Sequence, residues 1–134
     1  MAEEKPELKT ILFLLNDTDP ILLKVIENKF RKDAGWKSII AMEYSDAISA
    51  FEREKPDAVL TEIIINDEKG RTGFDFIAEI KERKIDKKAK IIIFTELRQD
   101  EDKEKAKKLG VEHYFVKSEI SLKELIEKIK SILH

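Results

Sequence analysis

Cysteine is absent from this sequence, which excludes disulfides and thiolate metal sites and leaves carboxylates to hold any metal ion. Charge of one sign is not in excess: 26 basic residues face 28 acidic ones, for a net charge of −2, so nothing draws the chain toward nucleic acid. Long apolar runs are missing too. The longest, Ile11 to Leu15, is far too short to span a membrane, and Met1 to Lys5 lacks the apolar core of a signal peptide. A cytoplasmic protein is therefore expected, with no membrane partner. What is present is a high content of charge, 40% against a usual quarter or so, and apolar residues at 42%, spread along the chain. That apolar share argues against disorder, and 134 residues suit one domain with a real core.

Short apolar runs alternate with segments of helical period. Ile11–Leu15 reads as a buried strand, and Asp19-Pro20 follows as a helix cap with proline at the first helical position. Leu22, Val25, Ile26 and Phe30 recur at helical spacing until Gly35 ends the helix. Ser38–Met42 is a second strand, and Ser45 or Asp46 is expected to cap a helix carrying Ala47, Ile48, Ala50 and Phe51 as far as Pro56. Ala58–Leu60 is a third strand running into Thr61-Glu62. A polar loop from Asn66 to Gly73 leads to a helix with Phe74, Ile77 and Ile80 on one face. Ile91–Phe94 is a fourth strand ending at Thr95. A charged helix from Asp100 to Leu109 is closed by Gly110. His113–Val116 is a fifth strand ending at Lys117, and Leu122, Leu125, Ile126, Ile129 and Leu133 mark the last helix. Continuous apolar strands alternating with amphipathic helices predict an α/β fold with a parallel sheet covered on both faces. Residues 8–134 are expected to form one domain behind a short polar extension, 1–7, with no effector domain attached.

In an open parallel sheet, ligands bind beyond the carboxyl ends of the strands. Here those ends read Asn16-Asp17-Thr18-Asp19, Thr61-Glu62, Thr95 and Lys117. Carboxylates, hydroxyls and one ammonium group are thus expected at a single edge.

In that order and spacing the motifs Leu14-Leu15-Asn16-Asp17-Thr18-Asp19-Pro20, Val59-Leu60-Thr61-Glu62, Ile92-Ile93-Phe94-Thr95 and Tyr114-Phe115-Val116-Lys117-Ser118 resemble the receiver domain of bacterial response regulators. Gly73-Phe74-Asp75-Phe76-Ile77 matches the opening of that family's third helix, so the resemblance covers nearly the whole chain. It implies a flavodoxin-like (βα)5 fold with strand order 2-1-3-4-5. It also implies a partner that is a histidine kinase or a downstream effector, and a signalling module, not an enzyme. Thr95 falls on the family's switch hydroxyl, Lys117 on its lysine, and Tyr114 on an aromatic position that couples the site to a signalling surface. Four departures stand out. Asp17 matches the first member of the family's acidic pair, but Thr18 replaces the second. Glu62 occupies the position of the phosphorylated Asp. The loop from Glu62 to Gly73 is about three residues longer than usual. Ser118 replaces a proline whose peptide bond is usually cis, so a trans bond is expected before it.

The family's reaction needs a carboxylate to attack phosphorus while Mg²⁺ neutralises the transferring oxygens. Thr18 removes one negative charge from the acidic pocket of Asp17, Asp19 and Glu62, so Mg²⁺ is expected to bind weakly, with no other cofactor. Glu62 carries one extra methylene, and displacing a nucleophile by about an ångström can cost on the order of a hundredfold in rate. Glu62 has two readings: a built-in imitation of the phosphorylated state, bonded to Thr95 and Lys117, or a buried ion pair with Lys117 alone. His113 and His134 are expected at the surface, and Asp67 and Glu68 in a solvated loop from which a metal ligand could come. The charged helix from Asp100 is expected to be solvated, with docking as the alternative. The preferred function is a pseudo-receiver acting through protein contacts without phosphorylation. The alternative is a working phosphoacceptor in a phosphorelay. A flavin or nucleotide binder is disfavoured, because Asp17 and Asp19 would repel a phosphate where such a loop needs glycines.

Overall fold

The computed structural model describes residues 9–16, 20–83 and 89–133. Five parallel strands, β1 (Thr10–Leu14), β2 (Lys37–Ala41), β3 (Ala58–Thr61), β4 (Lys90–Thr95) and β5 (His113–Val116), form one sheet of order β2-β1-β3-β4-β5. Five helices alternate with them: α1 (Pro20–Ala34), α2 (Tyr44–Glu54), α3 (Gly73–Glu82), α4 (Asp100–Lys108) and α5 (Leu122–Ile132). This is the doubly wound arrangement that the alternating pattern implies. No described helix is long and apolar enough to cross a membrane.

Strand side chains point alternately to the two faces, and each face selects its own helices. Ile11, Phe13 and Leu15 of the first strand segment, with Ala58, Leu60, Ile92 and Phe94, pack against Leu23, Ile26 and Phe30 of α1 and Leu125, Ile126 and Ile129 of α5. Phe30 lies between Phe13 and Trp36, its ring centroid 5.7 Å from the first and 5.8 Å from the second. On the other face Leu12, Leu14 and Val59 meet Ala47, Ala50 and Phe51 of α2 and Phe76 and Ile80 of α3. Ile93 meets Ile77 and, on α4, Ala106. The middle strands are apolar between their ends because both their faces are covered. Each such buried Leu, Ile or Phe contributes about 1.5–3 kcal/mol by leaving water.

Helix ends follow local chemistry in some places and packing in others. Gly35 closes α1 at φ +67°, donating to the Arg31 carbonyl while Trp36 donates to that of Phe30. The start of α2 differs from the sequence expectation: neither Ser45 nor Asp46 caps it. Glu43 is the capping residue, without a side-chain bond, and the helix begins at Tyr44. Tyr44 is 3% exposed and packs edge-on to Phe76, so burying its ring sets the start. Capping boxes do open α3, through Thr72 and Asp75, and α5, through Ser121 and Glu124.

Candidate functional site

The sheet brings the strand ends together by register. Thr61 pairs with Leu14 on one side and Ile93 on the other, and Thr95 pairs with Val116. Glu62 follows Thr61 and Lys117 follows Val116, so both emerge at the carboxyl edge. Thr61, Glu62 and Thr95 are the buried polar residues among those described, at 0%, 2% and 0% exposure. A cluster of buried polar groups in an otherwise apolar core marks this edge as the site.

Glu62 has a partner on each carboxylate oxygen. Oε1 lies 3.0 Å from the Lys117 ammonium nitrogen. Oε2 accepts the backbone N–H of Ile63 at 2.6 Å. The Lys117 side chain is itself only 16% exposed, and its Nζ sits 5.5 Å from the centre of the Phe94 ring. Low local dielectric strengthens the pair and makes loss of either partner costly. The Thr95 hydroxyl takes no part in it: its oxygen accepts the N–H of Leu97 at 3.3 Å, and no hydrogen bond joins Thr95 to Glu62 among the described residues. Of the two sequence readings of Glu62, the contact set is that of the ion pair. The Thr95 hydroxyl oxygen instead serves the β4–α4 turn, where it meets the Leu97 N–H.

Tyr114 donates its phenolic hydrogen to the Leu97 carbonyl at 2.7 Å, so Thr95 and Tyr114 both fasten the same residue. Burial pushes the phenol up to about 12, and the charges of Asp102 and Glu62 push in the same direction. The carboxylate of Glu62 is thus felt at Tyr114 without touching it.

Lys117 opens a single 3-10 turn, Lys117–Glu119, in which Ser118 is exposed. No peptide bond is cis among the described residues, so the one before Ser118 is trans. Asp17, Thr18, Asp19 and His134 lie outside the described residues. His113 is half-buried at the start of β5, not exposed as its polarity implied, because a neighbouring strand covers one side of it. In α4 only Ala106 is buried, so its alternating charges form a largely solvated face.

Among the described residues no three histidine or carboxylate side chains converge as a metal-binding group. Of the acids expected in the pocket, Glu62 is the one among the described residues, and its charge is met by Lys117.

Sequence reading missed one constellation beside the site. Asp67, expected in a solvated loop, has a side chain only 8% exposed and makes a forked pair with Arg71, at 2.8 and 2.9 Å. The Arg71 guanidinium carbon in turn lies 3.8 Å from the centre of the Tyr44 ring. The four-residue spacing of Asp67 and Arg71 was the available signal, but that spacing predicts contact only on a helix.

Residues 13–130 match the family described as "Response regulator receiver domain". No curated protein matches the chain. Among solved structures the chain is similar to a DNA-binding response regulator of the LuxR family from Staphylococcus aureus, at 23% identity and a TM-score of 0.80, covering 95% of this chain and 100% of that one. It is also similar to a CheY-like response regulator receiver domain protein from Methanospirillum hungatei, at 22% identity and a TM-score of 0.78, covering 95% and 94%. A third likeness is to the chemotaxis response regulator CheY4 of Vibrio cholerae, at 18% identity and a TM-score of 0.76, covering 94% and 99%. At these identities the likenesses establish the fold.

Proposed function

The chain belongs to the response regulator receiver domain family of two-component signalling, and on that premise we propose that it is a phosphorylation-independent member, a non-enzymatic, cytoplasmic module that acts through protein contacts. One observation carries this reading. Glu62 follows β3 where the family's phosphoacceptor stands, and it is 2% exposed with both oxygens engaged, Oε1 by Lys117 and Oε2 by the Ile63 N–H. A nucleophilic carboxylate must offer a free lone pair in line with the phosphorus of a donor. An ammonium group at 3.0 Å lowers the availability of one oxygen, and burial closes the approach to the other. The Glu62 charge then acts as a fixed feature, and it adds a small part, after burial and Asp102, to the raised phenol of Tyr114. The partner is a protein, either a kinase or an effector that reads this one state.

The deciding experiment is incubation of the chain with a small phosphodonor and Mg²⁺, followed by intact mass measurement. No mass gain is expected. A gain of one phosphoryl group that is lost in Glu62→Gln would overturn the reading and restore an ordinary phosphoacceptor.

A further inference from the structure

The connection from β3 to α3 closes on itself. Gly73 donates its N–H to the Ile63 carbonyl at 2.8 Å, so the two ends of the loop touch and the residues between them form an Ω-type loop. Its outermost residues, Glu68, Lys69 and Gly70, are exposed, but the residues on either side of them are tied to the body of the fold. β1 lies between β2 and β3 in the sheet and ends at Leu14. Beyond that end, the segment after β3 crosses over and makes a parallel backbone bridge to the segment after β2, Asn66 with Glu43. On the way its Ile64 carbonyl accepts the side-chain amide of Asn16 at 3.1 Å. The loop therefore lies as a strap across the carboxyl end of β1, next to Glu62.

Arg71 fastens the tip. Its Nε and one terminal nitrogen donate to the two oxygens of Asp67, and its backbone N–H donates to Asp67 Oδ2 at 2.8 Å. Its planar head stacks on Tyr44, the first residue of α2. Tyr44 donates its hydroxyl to Glu79 on α3 at 2.8 Å. Glu79 accepts Arg83, which also pairs with Glu52 on α2. The strap is thus tied by one residue to a polar chain that joins α2 and α3.

We propose that residues 63–73 are a latched strap that holds Glu62 in its paired geometry, with Arg71 as the latch. The strap reaches Glu62 through Ile63, whose N–H holds Oε2 and whose carbonyl holds Gly73. Opening the Arg71 contacts releases the tip from Tyr44 and leaves the loop held at the start of α2 by the Asn66–Glu43 bridge alone, which lets Ile63 move and withdraws the donor from Glu62. Arg71 is a positioning residue here. The inference rests on the reading of Glu62 as a fixed carboxylate, but its test involves neither phosphate nor partner, so the two can fail separately.

The test is amide hydrogen exchange followed residue by residue on the full chain, wild type against Arg71→Ala. Faster exchange is expected at Gly70 and Arg71, and also at Ile63 and Gly73, by about tenfold to a hundredfold, the factor that losing a charge-assisted hydrogen bond supplies. Ile92 and Ile93 in β4 should be unchanged. Acceleration confined to Gly70 and Arg71 would overturn the proposal, because it is what a purely local clamp gives. Should Arg71→Ala also accelerate β4, Asp67→Asn, which keeps the volume and removes the charge, takes its place and the same comparison decides. Arg71→Lys retains charge without the fork or the stacking plane, and exchange at Ile63 should fall between wild type and Arg71→Ala.

Discussion

A side chain at Gly73 would collide with the backbone carbonyl of Glu62, since a Cβ built there overlaps that oxygen and presses on the Ile63 Cα. The first turn of α3 thus rests directly on the main chain of the site residue. Gly73 has an ordinary φ, so it is close approach and not a left-handed conformation that demands glycine. Gly73→Ala must push α3 away or displace Glu62. A loss of about 1–3 kcal/mol in a urea titration is expected, the usual cost of forcing an extra methyl group into a packed contact.

Glu62→Gln keeps the shape of the side chain and removes its charge. Lys117 then stays at the sheet edge with its ion partner gone. The cost should be about 1–3 kcal/mol, below the roughly 3–5 kcal/mol of a fully enclosed pair, because Lys117 retains some contact with water. The same variant should lower the Tyr114 phenol from about 12, since the Glu62 charge is one of the groups that raise it. Ultraviolet titration of phenolate in a Tyr44→Phe background, which leaves Tyr114 as the only tyrosine, reads this directly. An unchanged titration would separate Tyr114 from the site.

Asp67 links the strap to pH. The Arg71 guanidinium holds its carboxyl at about 2, below the ordinary carboxylate range. Between those values the unfolded chain binds the extra proton and the folded one does not, so stability rises with pH there. The contribution is complete above about pH 4 and gone below about pH 2. Denaturant titrations across that window should show a steeper acid loss for wild type than for Asp67→Asn, and the two curves should converge at the acid end.

Thr18→Asp with Glu62→Asp puts aspartate at both positions where the resemblance to the family implies it, adding one acid and shortening the other. The double variant should take up one phosphoryl group from a small phosphodonor and bind Mg²⁺ more tightly than wild type. For wild type, calorimetric titration should give a dissociation constant of about 1 mM or weaker, no more than roughly 4 kcal/mol of binding. A tight wild-type site would show that Asp17 and Asp19 suffice without a second acid from Thr18.

Much of the fold was legible along the chain because its signals are local. The runs Ile11–Leu15 and Ile91–Phe94 are apolar throughout, as strands covered on both faces must be, Gly35 ends α1 in a left-handed turn, and α2 ends at Glu54 through a left-handed Lys55 just ahead of Pro56. The start of α2 was not legible. Ser45 and Asp46 are good caps, yet burying Tyr44 against Phe76 outweighs a cap worth about 1 kcal/mol. Likewise Asp67 looked like a loop residue in water, and only folding brought Arg71 and Tyr44 around it.

The sequence by itself determined which groups arrive at the carboxyl edge, because each of Glu62, Thr95 and Lys117 ends or follows a strand whose direction is set once the strands are parallel. It did not determine which of those groups bond. Glu62 could have met Thr95, Lys117 or both, and the outcome was decided by competition within about an ångström or two for donors and acceptors on three different segments, a competition settled by the cost of leaving any buried polar group unpaired. Thr95 went to Leu97, Lys117 to Glu62, and the second Glu62 oxygen to the neighbouring amide of Ile63. These contacts lie where Gly73 of α3 rests on the Glu62 main chain and donates to the Ile63 carbonyl, a close approach that belongs to the packed tertiary structure and to no single stretch of chain.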